Sequence, residues 1–347
     1  MLVSAGCDRT PAPVASVAPV LIAKDSIRLD QRADAFLELP RSITPDGESY
    51  VIADARQAAV FRYDRTGRLL QRVGHEGEGP GEFRSAVDAL AVPRGILVVS
   101  WDPPAAQLFD RDEGTLLERH DLAGPIESVL IADDSLWLGA VQYGSRTGVR
   151  VAALDGIGER RIVPLPDAFQ QGGPLGGIFG HVALAVWGDT LAVGFEPVGY
   201  VLLAHRNGAV LDTIVIPTRE RRGVPSDPES ALREAMRLGP YPRVFGVLSA
   251  MRSIHRRNDG SLVVVHLDHR PEGPPVTSEA FVTVIAADRR RACVDARIPL
   301  TPEAQPAFGF DADDLLVLEQ VIQGTSDAVP VLRRYAVDVS NCAWVDL

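Results

Sequence analysis

The sequence predicts an all-β chain of short antiparallel strands, and three observations carry that prediction. Short β-prone runs recur in groups of four, divided by tight Gly/Asp turns, as in Ser42–Gly47, Tyr50–Asp54, Ala59–Asp64 and Leu69–Gly74. The groups repeat at roughly 40 to 55 residues, the period range of propeller blades. The second run of a group is continuously apolar, as in Leu97-Val98-Val99 and Leu262-Val263-Val264-Val265. A strand covered on both faces needs that pattern, whereas the sheets of a sandwich keep one open face and alternate. Helices and strands do not alternate along the chain, which argues against an α/β fold. The reading is a six-bladed β-propeller of four-stranded antiparallel blades.

The blades fall at about residues 39–74, 86–122, 126–165, 178–217, 249–300 and 305–347. Cys342–Leu347 is read as the outer strand of the sixth blade. Residues 21–347 thus form one ring, with a helical insertion at 218–245. Ile27–Leu29 sits where the outer strand of a preceding blade would be. No blade precedes it, so this N-terminal strand is expected to add to the last blade and close the ring, removing sheet edges that would template aggregation.

Composition narrows the function classes. The 347 residues carry 35 Lys+Arg and 46 Asp+Glu, a net charge of −11. No basic patch stands out, so nucleic acid is not an expected partner. No apolar run reaches the roughly 18 residues of a membrane span. The 31 glycines and 26 prolines fit a chain rich in turns.

Gly74-His75-Glu76-Gly77-Glu78-Gly79-Pro80-Gly81-Glu82-Phe83 resembles the G-x-G-x-G-P-G-E-F linker of NHL-type six-bladed propellers, and Tyr63-Asp64 and Phe109-Asp110 fit the strand ends of that family. The resemblance is close over residues 26 to 122 and dilutes afterwards. It implies the propeller fold. It is weak for function, because such propellers include extracellular lipoproteins, scaffolds, and a few lyases and lactonases. The linker lacks the Lys-Ser/Thr of a phosphate loop and opens no helix, so nucleotide binding is not expected. Neither G-x-S-x-G nor H-E-x-x-H occurs.

The first 20 residues read as a truncated signal and tether. Ser4-Ala5-Gly6-Cys7 resembles a bacterial lipobox, in which Cys7 would be lipidated. It departs from that pattern in having Ser4 where Leu is usual and no basic region before it. Thr10–Pro19 reads as a Pro/Ala tether. The expected location is extracytoplasmic, as a periplasmic protein or one anchored to the membrane through lipid alone. Cys293 and Cys342 are the remaining cysteines and would then face an oxidising compartment. The repeat places them at matching points of neighbouring sheets. Packed sheets sit about 10 Å apart, and a disulfide tolerates about 7 Å between Cα atoms. A bridge therefore requires a local departure from the ring's symmetry.

The connections are lopsided. Turns inside a blade are short on one face. The other face carries Gly74–Ala86, Pro166–Gly180, Pro217–Ala250, Asp268–Glu279 and Val321–Pro330. Long loops in a compact domain are usually functional, so this is the candidate ligand-binding face. In the longest insertion Ser226 is read as a helix N-cap, Glu229 as its capping box, Pro228 as the first turn and Gly239-Pro240 as the stop. This helix is read either as a lid or as packing.

The second strands of the blades end on that face in polar residues: Asp54 and Arg56, Trp101 and Asp102, Gln142 and Tyr143, Glu196, and Glu319 and Gln320. Such ends at a shared mouth make a mixed polar pocket. Asp54, Asp102, Glu196 and Glu319 are candidate calcium ligands, since oxygen-rich rings suit hard cations. The bland alternative has them capping turns or pairing with arginine. His266, Asp268 and His269 form the densest titratable spot and are the catalytic or metal-ligand candidates. His255 either lines the channel or fills it. No other cofactor is implied. The favoured function is a non-catalytic binding or scaffold propeller of the bacterial cell envelope. It would act as a monomer on a small molecule, peptide or partner protein. The alternatives are a divalent-cation-dependent hydrolase or lyase resembling the lactonases, and an accessory domain in envelope sensing.

Overall fold

The apolar second strands sit at the centre of six sheets arranged as a ring. The computed structural model describes residues 18–33, 35–141, 146–153, 159–170, 179–238, 246–270, 277–301, 304–322 and 328–347. It is a six-bladed β-propeller. Five blades each run in chain order from an innermost strand A to an outermost strand D. Blade 1 is Pro40–Asp46, Ser49–Asp54, Ala59–Asp64 and Leu69–Val73. Blade 6 takes three strands from the C-terminal end of the chain and its outermost strand, Val20–Arg28, from the N-terminal end. That strand pairs antiparallel with Ala328–Asp338 from Val20 opposite Asp338 to Arg28 opposite Val331. The ring is therefore closed by hydrogen bonds between the two ends of the chain.

The packing explains the unbroken apolar B strands. Among the described residues, buried apolar side chains gather into six clusters, one between each pair of neighbouring blades. Ile96 and Val98 face blade 1, while Leu97 and Val99 face blade 3. Leu262 and Val264 pack toward blade 4, and Val263, Val265 and Leu267 toward blade 6. Alternate side chains of one strand thus serve two interfaces. Each fully buried Val, Leu, Ile or Phe contributes about 1.5–3 kcal/mol. Gly67 and Gly208, at φ +91 and +94, occupy the left-handed corner of C–D turns that other residues rarely adopt.

Three details differ from the sequence reading. Cys342–Leu347 is not the outer strand of blade 6, because Val20–Arg28 already holds that edge. Instead the tail crosses to blade 5, where Val345–Asp346 pairs with Arg291 and Ala292. This crossing is the departure from symmetry that a disulfide needs, and Cys293 and Cys342 are bridged with Cα atoms 6.0 Å apart. The segments Asp268–Glu279 and Val321–Pro330 are not loops throughout. The B and C strands of blades 5 and 6 run on into them, pairing Arg270 with Thr277 and Ile322 with Ala328. The insertion helix follows a short helix α1 (Asp167–Gln170) and is α2 (Pro228–Leu238). Its cap is Asp227, not Ser226. The Asp227 Oδ1 accepts from the Ser230 N–H at 3.0 Å, which leaves Pro228 at the first helical position, where its missing N–H costs nothing. Gly239 and Pro240 lie outside the described residues.

Candidate functional site

The B-strand acids reach the long-connection face but turn inward to the backbone. Asp54 is fully buried, and its two oxygens accept from the backbone N–H groups of Glu38, Leu39, Arg56 and Gln57 at 2.7–3.0 Å. Glu196 faces the N–H of His181, and Asp268 accepts from that of Arg222 at 2.7 Å. Glu319 accepts from the N–H of Thr301 at 3.0 Å and also pairs with Arg333. One device recurs in blades 1, 4, 5 and 6: a carboxylate at the end of strand B latches the linker that enters the same blade. Burial raises the Asp54 and Glu196 pKa values against these hydrogen bonds.

The four candidate calcium ligands are accordingly not brought together. Asp54 and Glu319 serve their own blades, Glu196 also pairs with Arg252 of blade 5, and Asp102 stands half-exposed, 3.5 Å from Arg84. Among the described residues, no group of three or more His, Cys, Asp and Glu side chains is placed to hold a metal ion. Arg56 is exposed and paired with Glu38 at 3.0 Å. Gln320 donates to the Leu37 carbonyl at 2.7 Å, tying blade 6 to the linker before blade 1. Trp101 is 49% exposed on the rim. Gln142 and Tyr143 lie outside the described residues, as does Cys7.

The His266 region roots the insertion. His266 is fully buried, and burial and then Arg221 hold its pKa well below the ordinary value. Arg221 is buried as well and pairs with Asp295 at 2.9 Å. Asp295 also accepts from the Glu220 N–H at 2.9 Å. Arg222 donates to the His269 carbonyl at 3.0 Å. Together these contacts fasten Pro217–Gly223 onto blade 5, which makes Asp268 part of an anchor, while both ring nitrogens of His266 are buried without a hydrogen-bond partner among the described residues. Helix α2 beyond it sends Leu232 into the cluster between blades 3 and 4.

The charged groups that do converge stand at the beginnings of the A strands. Arg41 in blade 1 donates through Nη2 to Glu127 Oε2, ahead of blade 3, at 2.9 Å. Arg252 in blade 5 pairs with Glu196 of blade 4. The His181 ring, at the start of blade 4, donates from Nε2 to the Arg252 carbonyl at 2.8 Å. Both guanidiniums act on His181 and on Glu196. Four side chains at blade starts, joined by Glu196 from the end of a B strand, thus surround one end of the channel on the long-connection face. Burial, then Arg252 and Arg41, push the His181 pKa down to about 3, so its imidazole is neutral near pH 7. Farther along the channel, Asp88 accepts from the N–H groups of Ala89 and Val129 at 2.9 and 3.0 Å. Burial raises its pKa to about 6. Toward the opposite end His255 stacks on Phe310, with ring centroids 4.3 Å apart, and Phe310 packs against the cluster between blades 5 and 6.

Sequence reasoning passed over Arg41, Asp88, Glu127, His181 and Arg252. A signal for them existed: aligning the blades sets one polar side chain near the start of each of these A strands, a position facing the axis. A depression of about 310 Å³ lies on the short-turn face where the closing strand meets blade 1. There Arg65 meets Tyr50 and Asp311, and Arg334 meets Asp25, so its charges seal the join.

These features define a six-bladed propeller with a charged, two-arginine channel mouth. No protein-family model and no curated protein sequence matches the chain. Solved structures share the fold. A protein described as exported from Bacteroides fragilis aligns with a TM-score of 0.63 at 11% identity, over 94% of this chain and 98% of that one. A member of the DUF4221 family from Bacteroides vulgatus aligns at 0.62 and 10% identity, over 92% and 99%. Regucalcin from Agrobacterium tumefaciens, described as calcium-binding, aligns at 0.52 and 15% identity, over 94% and 96%. At these identities the likeness speaks for the fold.

Proposed function

We propose that this chain is an extracytoplasmic, non-catalytic binding propeller that seats a small ligand over the channel mouth of its long-connection face. The observation that carries the reading is the convergence of Arg41, Glu127, His181, Glu196 and Arg252 from four blades onto that mouth. A mixed set of charged donors and acceptors at the open end of a rigid ring is a recognition surface. The extracytoplasmic placement is supported by the Cys293–Cys342 bridge, since disulfides persist in oxidising compartments. It is also supported by the likeness to a protein described as exported. Membrane attachment would run through lipidated Cys7.

Hydrogen exchange of the full chain, with and without a small-molecule extract of the source cells, tests the reading. The expected result is slowed exchange around Arg41, Glu127, His181 and Arg252, with no change on the short-turn face. No protection at the mouth would overturn it. Elemental analysis of the same sample separates this reading from a divalent-cation enzyme, which would carry stoichiometric metal.

A further inference from the structure

We infer that the ligand presents a carboxylate, and that Arg41 and Arg252 grip it from two sides of the channel mouth. The inference rests on the mouth being a binding site and adds the chemistry of what binds. Its basis is the orientation of the two ion pairs. In each, the cation stands toward solvent and the carboxylate behind it: the Arg41 side chain is 34% exposed against 17% for Glu127, and Arg252 28% against 6% for Glu196. An incoming molecule therefore meets guanidinium first.

Each guanidinium also retains donors. Arg41 uses only Nη2 on Glu127, and Arg252 only Nη1 on Glu196, in side-chain hydrogen bonds among the described residues. The acids fix the planes of the two forks and leave further N–H groups facing the mouth. A planar carboxylate matches such a fork with two parallel hydrogen bonds. The neutral imidazole of His181 lies within the field of both cations and adds no charge.

The surroundings select among anions. Glu127 and Glu196 are paired with the arginines, Asp88 lies within the field of Arg41, and the whole chain carries −11. A polyanion would be repelled at long range, and a phosphate dianion would face three carboxylates at close range. A small carboxylate concentrates one charge on the two forks.

Titration calorimetry at pH 7 and low salt tests this. The probes are the monocarboxylates acetate and lactate, with inorganic phosphate and glucose as comparisons. The proteins are the wild type, Arg41→Lys, Arg252→Lys and, as a surface control, Arg72→Gln. The lysine variants keep the charge opposite Glu127 and Glu196, and so the fold, while losing the planar fork. The expected result is binding of the carboxylates, weakened at least tenfold in each lysine variant and unchanged in Arg72→Gln. Carboxylate binding indifferent to both lysine variants would overturn the inference. So would preference for phosphate, or for glucose. Repeating the extract exchange experiment with the lysine variants keeps the two claims apart. Protection at the mouth that survives both substitutions overturns the carboxylate grip and leaves the binding site standing. Absence of protection in the wild type removes both.

Discussion

Replacing His181 by Gln should flatten the acid side of the stability curve. In the folded protein, burial and the Arg252 and Arg41 guanidiniums move the His181 pKa from 6.5 down to about 3. Between those values the unfolded chain binds a proton that the folded chain does not. Stability from the neutral ring is therefore fully present above pH 6.5 and is lost progressively as pH falls toward 3. By pH 5 the loss is about 2 kcal/mol, at ~1.4 kcal/mol per pK unit. His269, held down to about 4 by burial, Arg252 and Arg222, adds a similar loss. Asp88 acts in the opposite sense. Its pKa is raised from 3.8 to about 6 by burial, so the folded form keeps its proton longer. It returns about 1 kcal/mol between pH 7 and 5. These three groups together should thus cost the wild type about 3 kcal/mol over that interval, and His266, held well below its ordinary value, adds further loss in the same sense, read by urea unfolding with tryptophan fluorescence. In His181→Gln, whose amide still reaches the Arg252 carbonyl, the loss should shrink by about 2 kcal/mol. A folded variant with an unchanged pH slope would refute the reasoning.

Further outcomes follow from the same contacts. Asp54→Ala removes the acceptor of four backbone N–H groups and should cost about 3 kcal/mol, with faster amide exchange at Glu38 and Leu39. Asp54→Asn should recover part of it. Cys342→Ala opens a loop with a sequence separation of 49 and should lower stability by about 4 kcal/mol, freeing Val345–Asp346 from Arg291–Ala292. Intact wild type before and after reduction, compared by urea unfolding, gives the same difference. Leu232→Ala deletes the one fully buried side chain among the described residues of α2. It should speed exchange across Pro228–Leu238 and lower the stability of the ring by about 2–5 kcal/mol, since Leu232 belongs to the buried cluster between blades 3 and 4.

The ring was legible because its physics is periodic. Leu97–Val99 and Leu262–Val265 had to be apolar on both faces, and that requirement recurs in each blade. Ile27–Leu29 was recognisable as a strand without its own blade. The recurrence of Asp54, Glu196, Asp268 and Glu319 was also visible, but recurrence says only that a position has a shared task. The task is to receive linker N–H groups, and only the geometry shows which way the carboxylates turn. Arg41, Glu127, His181 and Arg252 are each ordinary in their local sequence. They become a site because closure of the ring brings together residues more than 200 positions apart. The two-residue pairing of Val345–Asp346 is too short to leave a pattern, so the tail's crossing to blade 5, and with it the geometry of the disulfide, had no signal beyond the two cysteines.

The central claim is that a small ligand sits on the channel mouth. A crystal structure of the protein saturated with the tightest-binding carboxylate of the calorimetric series tests it most directly. The account predicts density for that molecule between the Arg41 and Arg252 guanidiniums on the long-connection face. Density seated elsewhere, with the mouth unchanged, would contradict it.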